Sequence, residues 1–228
     1  EASFAGVITT PGVAYLARTG EFAAGVMISA SHNPFADNGL KVFDHSGFKM
    51  PDDQEVRLER DIFDWLEKGL EPERLTLLAD ESLDRQYVDF LVSTMQTRLV
   101  GMKLVVDCAN GAAYKLGPEL LERLGAHVTV IGNAPDGRNI NLNCGSTHLE
   151  KLRAAVAELK PDLGIAFDGD ADRALFISPA GRDIDGDQVL LITAGEMDAP
   201  AVVATVMSNL ALEVALRKQG RKLIRTNV

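Results

Sequence analysis

The sequence has little cysteine and few aromatic residues, and the shortage of cysteine excludes a class of protein. Its 228 residues include two cysteines, Cys108 and Cys144, which are not in a C-x-x-C arrangement. A disulfide-stabilised scaffold is therefore excluded, and we interpret both residues as inert thiols of a protein in the reducing cytoplasm. Aromatic residues make up 6%, but the hydrophobic fraction of 46% is ordinary for a globular chain and can supply a sizeable core.

Basic residues are scarce relative to acidic ones. Lys and Arg number 23 against 33 Asp and Glu, which gives a net charge of −10. A chain with this charge repels polyanions, so we expect no nucleic-acid partner. No window approaches the roughly 18 apolar residues that a membrane span requires, and residues 1–6 lack the order of a signal peptide. We therefore expect a soluble cytoplasmic protein with no membrane partner.

The first third of the chain predicts a helix, a short strand and a second helix. Thr10-Pro11-Gly12 is typical of a helix start, with Thr10 as the N-terminal cap. Residues 25–29 form an apolar strand that leads into a polar loop. Asp52 and Glu55 have the spacing of a capping box, which predicts the start of the second helix.

The remainder of the chain alternates strands and helices. From residue 102 onward this alternation predicts parallel βαβ units, and hence an α/β fold with mixed sheets sandwiched by helices. Because the chain begins without Met and ends after an apolar strand, we expect it to be a piece of a longer protein. The predicted domains are 1–82, 83–186 and 187–228, the last being the beginning of a further unit.

The strongest local signal is an acidic loop that follows the apolar strand 163–167. Asp168, Asp170 and Asp172 alternate along it, and such carboxylates can converge on one hard cation because Mg²⁺ and Ca²⁺ prefer oxygen ligands. An EF-hand would require Gly and Glu where the chain has Arg173 and Pro179, so that interpretation fails. A phosphatase with Asp168 as nucleophile remains open, although Asp172 departs from its usual pattern, and a purely structural turn is the other alternative.

A second signal lies in the loop after the first strand. It contains Ser31 and His32, and Lys41 follows ten residues after Ser31. A serine needs a base or a metal for activation, and His32 or Lys41 can supply the base if this segment folds back on itself. A lone Ser-His pair is more often turn chemistry. Beside the acidic loop the pair is stronger evidence for a catalytic site, because a phosphate on Ser31 offers oxygens to a cation held by that loop.

Taken together, these motifs resemble those of the α-D-phosphohexomutase superfamily. Residues 25–41, GVMISASHNPFADNGLK, are similar to its phosphoserine loop, and residues 168–173, DGDADR, to its metal loop. Residues 139–148, NINLNCGSTH, resemble the signature of the bacterial phosphoglucosamine-type branch. The resemblance implies repeated α/β domains of the phosphohexomutase type, of which this chain holds the end of the first, the whole of the second and the start of the third.

The resemblance also implies a reaction. Ser31 carries a phosphoryl group, donates it to glucosamine 6-phosphate, and receives the other phosphate back from a 1,6-bisphosphate intermediate to release glucosamine 1-phosphate. The cofactor is Mg²⁺, held by the phosphorylated Ser31 with Asp168, Asp170 and Asp172. The expected substrate is thus a hexosamine phosphate, and the longer protein is expected to be a homodimer.

Roles for three further residues follow from the same resemblance. Lys41 is the first candidate for general acid or base and His32 the second, while Arg173 either contacts the phosphate through its guanidinium or forms a salt bridge with a carboxylate of the acidic loop. Three alternatives stay open: a phosphomannomutase or phosphoglucomutase, a phosphatase with Asp168 as nucleophile, and a fragment that binds a cation without catalysis. We expect these 228 residues alone to lack full activity.

Overall fold

The computed structural model describes residues 2–71 and 76–228. The irregular stretch between the second and third helices therefore lies partly outside the described residues. The helices and strands are, in chain order, α1 (Thr10–Thr19), β1 (Ala24–Ser29), β2 (Gly39–Asp44), α2 (Asp52–Glu67), α3 (Glu81–Thr94), β3 (Lys103–Asp107), α4 (Ala113–Arg123), β4 (His127–Ile131), α5 (Glu150–Leu159), β5 (Leu163–Phe167), β6 (Ala174–Ile177), β7 (Asp183–Ile184), α6 (Gly186–Glu196), β8 (Ala201–Thr205), α7 (Leu210–Lys218) and β9 (Lys222–Thr226).

The central sheet has the strand order β4-β3-β5-β6-β7, with β3 parallel to β4 and β5 and the last two strands antiparallel. Successive side chains of a strand point to opposite faces, so a strand buried on both faces must be apolar throughout. On β3, Val106 packs in the same cluster as Ala113 of α4, whereas Val105 packs with Leu152 and Val156 of α5. The sheet is thus covered by helices on both sides, which confirms the predicted α/β class.

We call the predicted domains 1–82 and 83–186 the first and the second unit. In the second unit, the loops that follow β3 and β5 leave the sheet at the same edge. Strands β3 and β5 are parallel neighbours, so the segments that follow Asp107 and Phe167 leave the sheet side by side. In open α/β sheets, ligands bind outside the carboxyl ends of parallel strands. This topology places the acidic loop at the expected edge.

The first unit is a hairpin with helices against it. Strands β1 and β2 are antiparallel, with Met27 opposite Lys41, so the segment after the serine does fold back on itself. The sequence did not predict β2. Helix α1 packs on β1 at Gly25, where a Cβ atom would lie 2.9 Å from the Val13 side chain. Helix α3 contacts both α1 and α4, and therefore bridges the first and second units.

Two of the predicted helix caps are wrong. The N-cap of α1 is Thr9, whose extended backbone lets its side chain accept the Gly12 N–H, whereas Thr10 is already helical. The N-cap of α2 is Pro51, which has no side-chain acceptor, so the expected capping box of Asp52 and Glu55 does not form. In both cases the helix begins one residue away from the position that the motif indicated.

The last segment forms a smaller layer. Strands β8 and β9 pair in parallel, and a cluster that includes Ala194, Val202 and Leu216 joins them to α6 and α7. Across residues 2–71 and 76–228, helices with both the length and the apolar character for a bilayer span are absent.

Candidate functional site: the acidic loop and the serine loop

The acidic loop, residues 168–173, is a tight turn closed by its own backbone. The Ala171 N–H donates to the Asp168 carbonyl, and the Asp168 N–H donates to the Arg173 carbonyl. One carboxylate oxygen from each of Asp168, Asp170 and Asp172 lies within 4.8 Å of the others. The first two residues are fully buried and the third is partly exposed. The turn therefore concentrates three negative charges at the edge of the core.

Burial and charge shift the pKa values of the acidic loop in opposite directions. Burial raises the pKa of Asp168 to about 6, and the neighbouring carboxylates of Asp170 and Asp172 add to the rise. For Asp170, burial also disfavours the charged form, but hydrogen bonds from Lys41 and Thr10 outweigh it and lower its pKa. Hydrogen-bond donors thus keep Asp170 ionised, whereas burial destabilises the ionised form of Asp168.

The acidic loop fits a hard divalent cation. Its convergent ligand atoms are all carboxylate oxygens, the type that Mg²⁺ prefers. Asp170 Oδ1 is buried and has no hydrogen-bond partner among the described residues. An orphaned buried carboxylate oxygen is costly unless a ligand or solvent satisfies it, and a metal ion does so directly.

The serine loop, residues 30–34, brings the predicted nucleophile to the acidic loop. Ser31 has a left-handed backbone with φ of 51°, and its N–H donates to Ser29 Oγ at 2.8 Å. This conformation is uncommon outside glycine and tends to occur at functional sites. Ser31 Oγ lies 3.3 Å from Asp168 Oδ2. The hydroxyl therefore reaches the acidic loop from the first unit.

Lys41 approaches the same carboxylates from strand β2. Its Nζ atom lies 2.6 Å from Asp170 Oδ2 and 3.2 Å from Asp172 Oδ2. Burial alone would lower the pKa of Lys41, but hydrogen bonds and charges from the two carboxylates raise it instead. The ammonium form is therefore favoured in this arrangement, which suits donation of a proton better than its acceptance.

Arg173 links the two loops. Its Nη2 atom lies 3.2 Å from Asp168 Oδ2 and 3.2 Å from Ser31 Oγ, and its Nε lies 3.4 Å from Asp172 Oδ1. The same Nη2 also contacts His32 Nδ1. Because a guanidinium only donates, Nδ1 must act as the acceptor. The structure thus brings all seven residues singled out in the sequence into one cluster.

Two residues in contact with the cluster were not predicted. Thr10 donates its hydroxyl to Asp170 Oδ2 at 2.6 Å, and its backbone N–H donates to the Asp170 carbonyl at 3.0 Å. Asn141 donates its side-chain amide to the carbonyls of Ser31 and Asn33. The signal for Thr10 was hidden by its interpretation as a cap. Asn141 lay within the quoted signature but had no assigned role.

The approach of the two loops requires Gly169. Its N–H donates to the Ser31 carbonyl at 3.1 Å, and an added Cβ atom would collide with that same carbonyl. Gly111, after β3, faces the Gly169 carbonyl in the same way. The glycine in the Asp-Gly-Asp motif is therefore needed for backbone contact between the units.

A separate apolar cavity of about 830 Å³ runs along β1. Phe22, Val26 and Tyr114 are among its lining residues, together with Ala30 of the serine loop and Gly169 of the acidic loop. None of the seven charged or polar residues of the cluster lines it. The candidate site formed by these seven side chains therefore lies outside this cavity.

Comparison with protein families gives three consecutive matches. Residues 1–68 match phosphoglucomutase/phosphomannomutase alpha/beta/alpha domain I, residues 85–181 match domain II, and residues 185–228 match domain III. Among curated proteins, a phosphoglucosamine mutase of Solibacter usitatus is 54% identical over 99% of this chain and 52% of its own length. One of Syntrophomonas wolfei is 46% identical over 94% and 50%. The chain spans about half the length of these relatives.

Solved structures agree with the fold. A phosphoglucomutase/phosphomannomutase family protein from Burkholderia thailandensis superposes with a TM-score of 0.78 at 26% identity, covering 98% of this chain and 51% of its own. N-acetylphosphoglucosamine mutase of Aspergillus fumigatus, in complex with GlcNAc-6P and magnesium, gives 0.67 at 20% identity over 96% and 59%. At that identity the second likeness concerns the fold alone.

Proposed function

Since the chain belongs to the phosphoglucomutase/phosphomannomutase family, we propose that it is part of an enzyme that interconverts glucosamine 6-phosphate and glucosamine 1-phosphate. The observation that carries the proposal is the position of Ser31 Oγ, 3.3 Å from a buried aspartate of a triad that fits a divalent cation. The named activity of the curated relatives supports the choice of sugar. The proposal keeps the domain limits 1–82, 83–186 and 187–228.

The proposed cofactor is Mg²⁺, held by Asp168, Asp170 and Asp172 with a phosphate oxygen on Ser31. The orphaned Asp170 oxygen and the magnesium of the Aspergillus fumigatus structure support this assignment. When bound, the ion neutralises negative charge on the transferring phosphoryl group, which is a main source of catalysis in phosphoryl transfer.

Each half-reaction exchanges one oxygen–phosphorus bond for another. In the first, the bond between Ser31 Oγ and phosphorus breaks, and a bond forms between the sugar hydroxyl oxygen and the same phosphorus. The hydroxyl gives up its proton and Ser31 Oγ takes one up, so the charges balance. In the second, the other phosphate of the bisphosphate returns to Ser31 by the reverse exchange.

The charged side chains have separate tasks in this scheme. Lys41, held at Asp170, is the proposed proton carrier at the serine oxygen, with His32 as the second candidate. Arg173 already contacts Ser31 Oγ at 3.2 Å and can bind the phosphate oxygens through its planar guanidinium. For the longer protein we further propose a cytoplasmic homodimer, which rests on the family resemblance and which light scattering can test.

Substitution of the nucleophile tests the proposal. In the full-length protein, Ser31→Ala is expected to abolish mutase activity and the phosphorylation seen by intact-mass analysis. Ser93→Ala, an exposed serine of α3, serves as the control and should retain both. Activity that survives Ser31→Ala would overturn the proposal, and steady release of inorganic phosphate by that variant would favour the Asp168 phosphatase.

Substrate choice and the competence of the fragment need their own assays. Glucosamine, mannose and glucose 6-phosphates compared at equal concentration should give the highest kcat/KM with glucosamine. Preference for mannose or glucose would favour the phosphomannomutase or phosphoglucomutase alternative. For residues 1–228 alone, calorimetry is expected to detect Mg²⁺ binding without tight sugar phosphate binding.

A further inference from the structure

Asn141 connects the serine loop to the second unit. Its side-chain Nδ2 lies 2.8 Å from the Ser31 carbonyl oxygen and 2.9 Å from the Asn33 carbonyl oxygen. The residue is 7% exposed, so these bonds are largely protected from water. Both accepting carbonyls belong to the serine loop, whereas Asn141 follows β4 in the second unit.

The orientation of this amide follows from its partners. A side-chain amide nitrogen has two hydrogens, which matches two carbonyl acceptors. The flipped amide would place its oxygen against both carbonyls and lose both bonds. The backbone holds the residue in place as well, since the Asn141 N–H donates to the Ala109 carbonyl at 2.8 Å. Asn141 has a left-handed φ of 58°, a conformation that asparagine adopts more readily than most residues.

The serine loop needs such support because its own unit provides little. His32, Asn33 and Pro34 are exposed, and the loop's bonds from its own unit are those of Ser31 N–H to Ser29 Oγ, Asn33 N–H to the Ala30 carbonyl and Asp37 N–H to the Pro34 carbonyl. The Ser31 carbonyl accepts from two donors, Asn141 Nδ2 and the Gly169 N–H, and both lie in the second unit. The position of the Ser31 hydroxyl therefore depends on contacts from outside its unit.

We infer that Asn141 is a positioning residue for phosphoryl transfer, and that its amide fixes the serine loop so that Ser31 Oγ faces the acidic loop. This inference rests on the proposed function. In-line transfer requires the reacting oxygen within a narrow range, and a displacement of about 1 Å can reduce the rate by about 100-fold. The side-chain hydrogen bonds of Asn141 go to the backbone of the serine loop and, among the described residues, not to the three aspartates or Arg173, so it acts through the position of Ser31.

Asn143 offers a matched control. It is the same residue type in the same loop, and its φ of 53° is also left-handed. Its side chain is exposed and makes no hydrogen bond within the described part of the chain. Glycine fits a left-handed position without strain, so Asn141→Gly and Asn143→Gly differ in the amide contacts and not in backbone cost.

The kinetic test uses the full-length protein. For Asn141→Gly we expect kcat to fall by about 100-fold. KM for the sugar phosphate and the affinity for Mn²⁺, used as the probe of the metal site, should each stay within about twofold of the wild-type value, because the changed step is transfer and not binding. Asn143→Gly should match wild type. A kcat equal to that of Asn143→Gly would overturn the inference, as would a loss of Mn²⁺ affinity that accounts for the fall.

Hydrogen exchange provides a readout that does not depend on activity. Peptides that cover the serine loop should exchange about tenfold faster in Asn141→Gly than in Asn143→Gly, because two hydrogen bonds to the loop are lost. Unchanged exchange would overturn the inference. If the wild-type protein has no mutase activity, the proposed function fails, and exchange alone then decides whether Asn141 holds the loop. Should the glycine variant not fold, Asn141→Asp keeps the shape and replaces donor with acceptor, so it should give the same two effects.

Discussion

The acidic loop and the serine loop meet at one site but are stabilised differently. The acidic loop follows β5, an interior strand of the central sheet, and its turn is closed by backbone bonds among its own residues. The serine loop follows β1 of a two-stranded hairpin, in which Val26 is 57% and Ile28 69% exposed. Its Ser31 carbonyl is held by Asn141 and Gly169 of the other unit.

This difference separates two requirements of the site. Three carboxylates repel one another, so the loop that carries them must be held rigidly by the core. In the proposed reaction the Ser31 hydroxyl must lie against them and also remain accessible to a substrate, and a partly exposed loop meets both needs. The acidic loop is therefore held by burial and its own backbone bonds, with added contacts from Thr10 and Lys41 of the first unit, whereas, among the described residues, the Ser31 carbonyl is held by the second unit alone.

The largest expected effect is loss of metal binding when the acidic loop loses a charge. Asp170→Asn should weaken Mn²⁺ binding by about 100-fold or more, since even outer partners of a metal ligand contribute about 10- to 100-fold. Calorimetry measures the affinity. Asp198→Asn removes the same charge at an exposed position with a left-handed backbone that asparagine tolerates, and should leave the affinity unchanged. Equal affinities for the two variants would contradict the assignment of Asp170 as a ligand.

The next effect concerns the bond by which the first unit holds the acidic loop. Thr10→Val removes the hydroxyl that donates to Asp170 Oδ2 but keeps the side-chain shape. We expect the free energy of unfolding to fall by about 1.5–3 kcal/mol, the range for a hydrogen bond to a charged group. Urea unfolding in the presence of EDTA measures it. Thr19→Val, in the same helix with an exposed hydroxyl, should change stability by less than about 0.5 kcal/mol.

A pH dependence of stability is expected from Asp107, the last residue of β3, which accepts hydrogen bonds from the loops after β3 and β4. Asp107 is fully buried and accepts the N–H groups of Ala109 and Gly145, yet burial raises its pKa overall. An acid with a raised pKa in the folded state stabilises the fold when protonated, and this stabilisation is lost as pH rises from its unfolded pKa through its folded pKa.

The variant Asp107→Asn cannot titrate and replaces one acceptor with a donor. It should be less stable than wild type at low pH by about 1–3 kcal/mol, and the gap should narrow as pH rises. Urea unfolding at a series of pH values, with EDTA present, measures the gap. A gap that widens with pH would show that Asp107 is stabilised as a carboxylate.

The smallest effect is expected in the thiol labelling of Cys108 and Cys144, which reports whether the loops after β3 and β4 open. Burial raises the pKa of Cys108 to about 12 and that of Cys144, near Asn141, to about 11. At pH 8 the thiolate fraction is then about one in a thousand or less. An aromatic disulfide reagent should label neither thiol in the native protein and both in urea. Rapid native labelling of Cys144 would indicate that the loop around Asn141 opens.

The sequence predicted the parts of the fold that depend on local pattern. Strand β5 has the predicted bounds, 163–167, because it is a short apolar run between a helix and a polar loop. Strand β2 was missed because its residues do not alternate between buried and exposed. Its pairing with β1 decides its conformation, and pairing is a property of two segments together.

The site residues also divide into those that a local motif predicts and those that it does not. Ser31 and the three aspartates occur in compact motifs, so their candidacy could be predicted, while their roles remain proposals. Thr10 and Asn141 act on partners 160 and 110 residues away in the chain, and no local pattern contains such information. Residues that hold a site together across units are therefore the ones that a single sequence conceals.

The contacts of Lys41 and Arg173 have a consequence for the order of assembly. The two cations pair with Asp168, Asp170 and Asp172, so the cluster of five groups carries one net negative charge in place of three. Small zinc domains, by contrast, fold only when the metal arrives. Here Lys41 and Arg173 supply the counter-charges themselves, so folding does not have to wait for an ion, and the proposed Mg²⁺ would bind to a chain that is already folded.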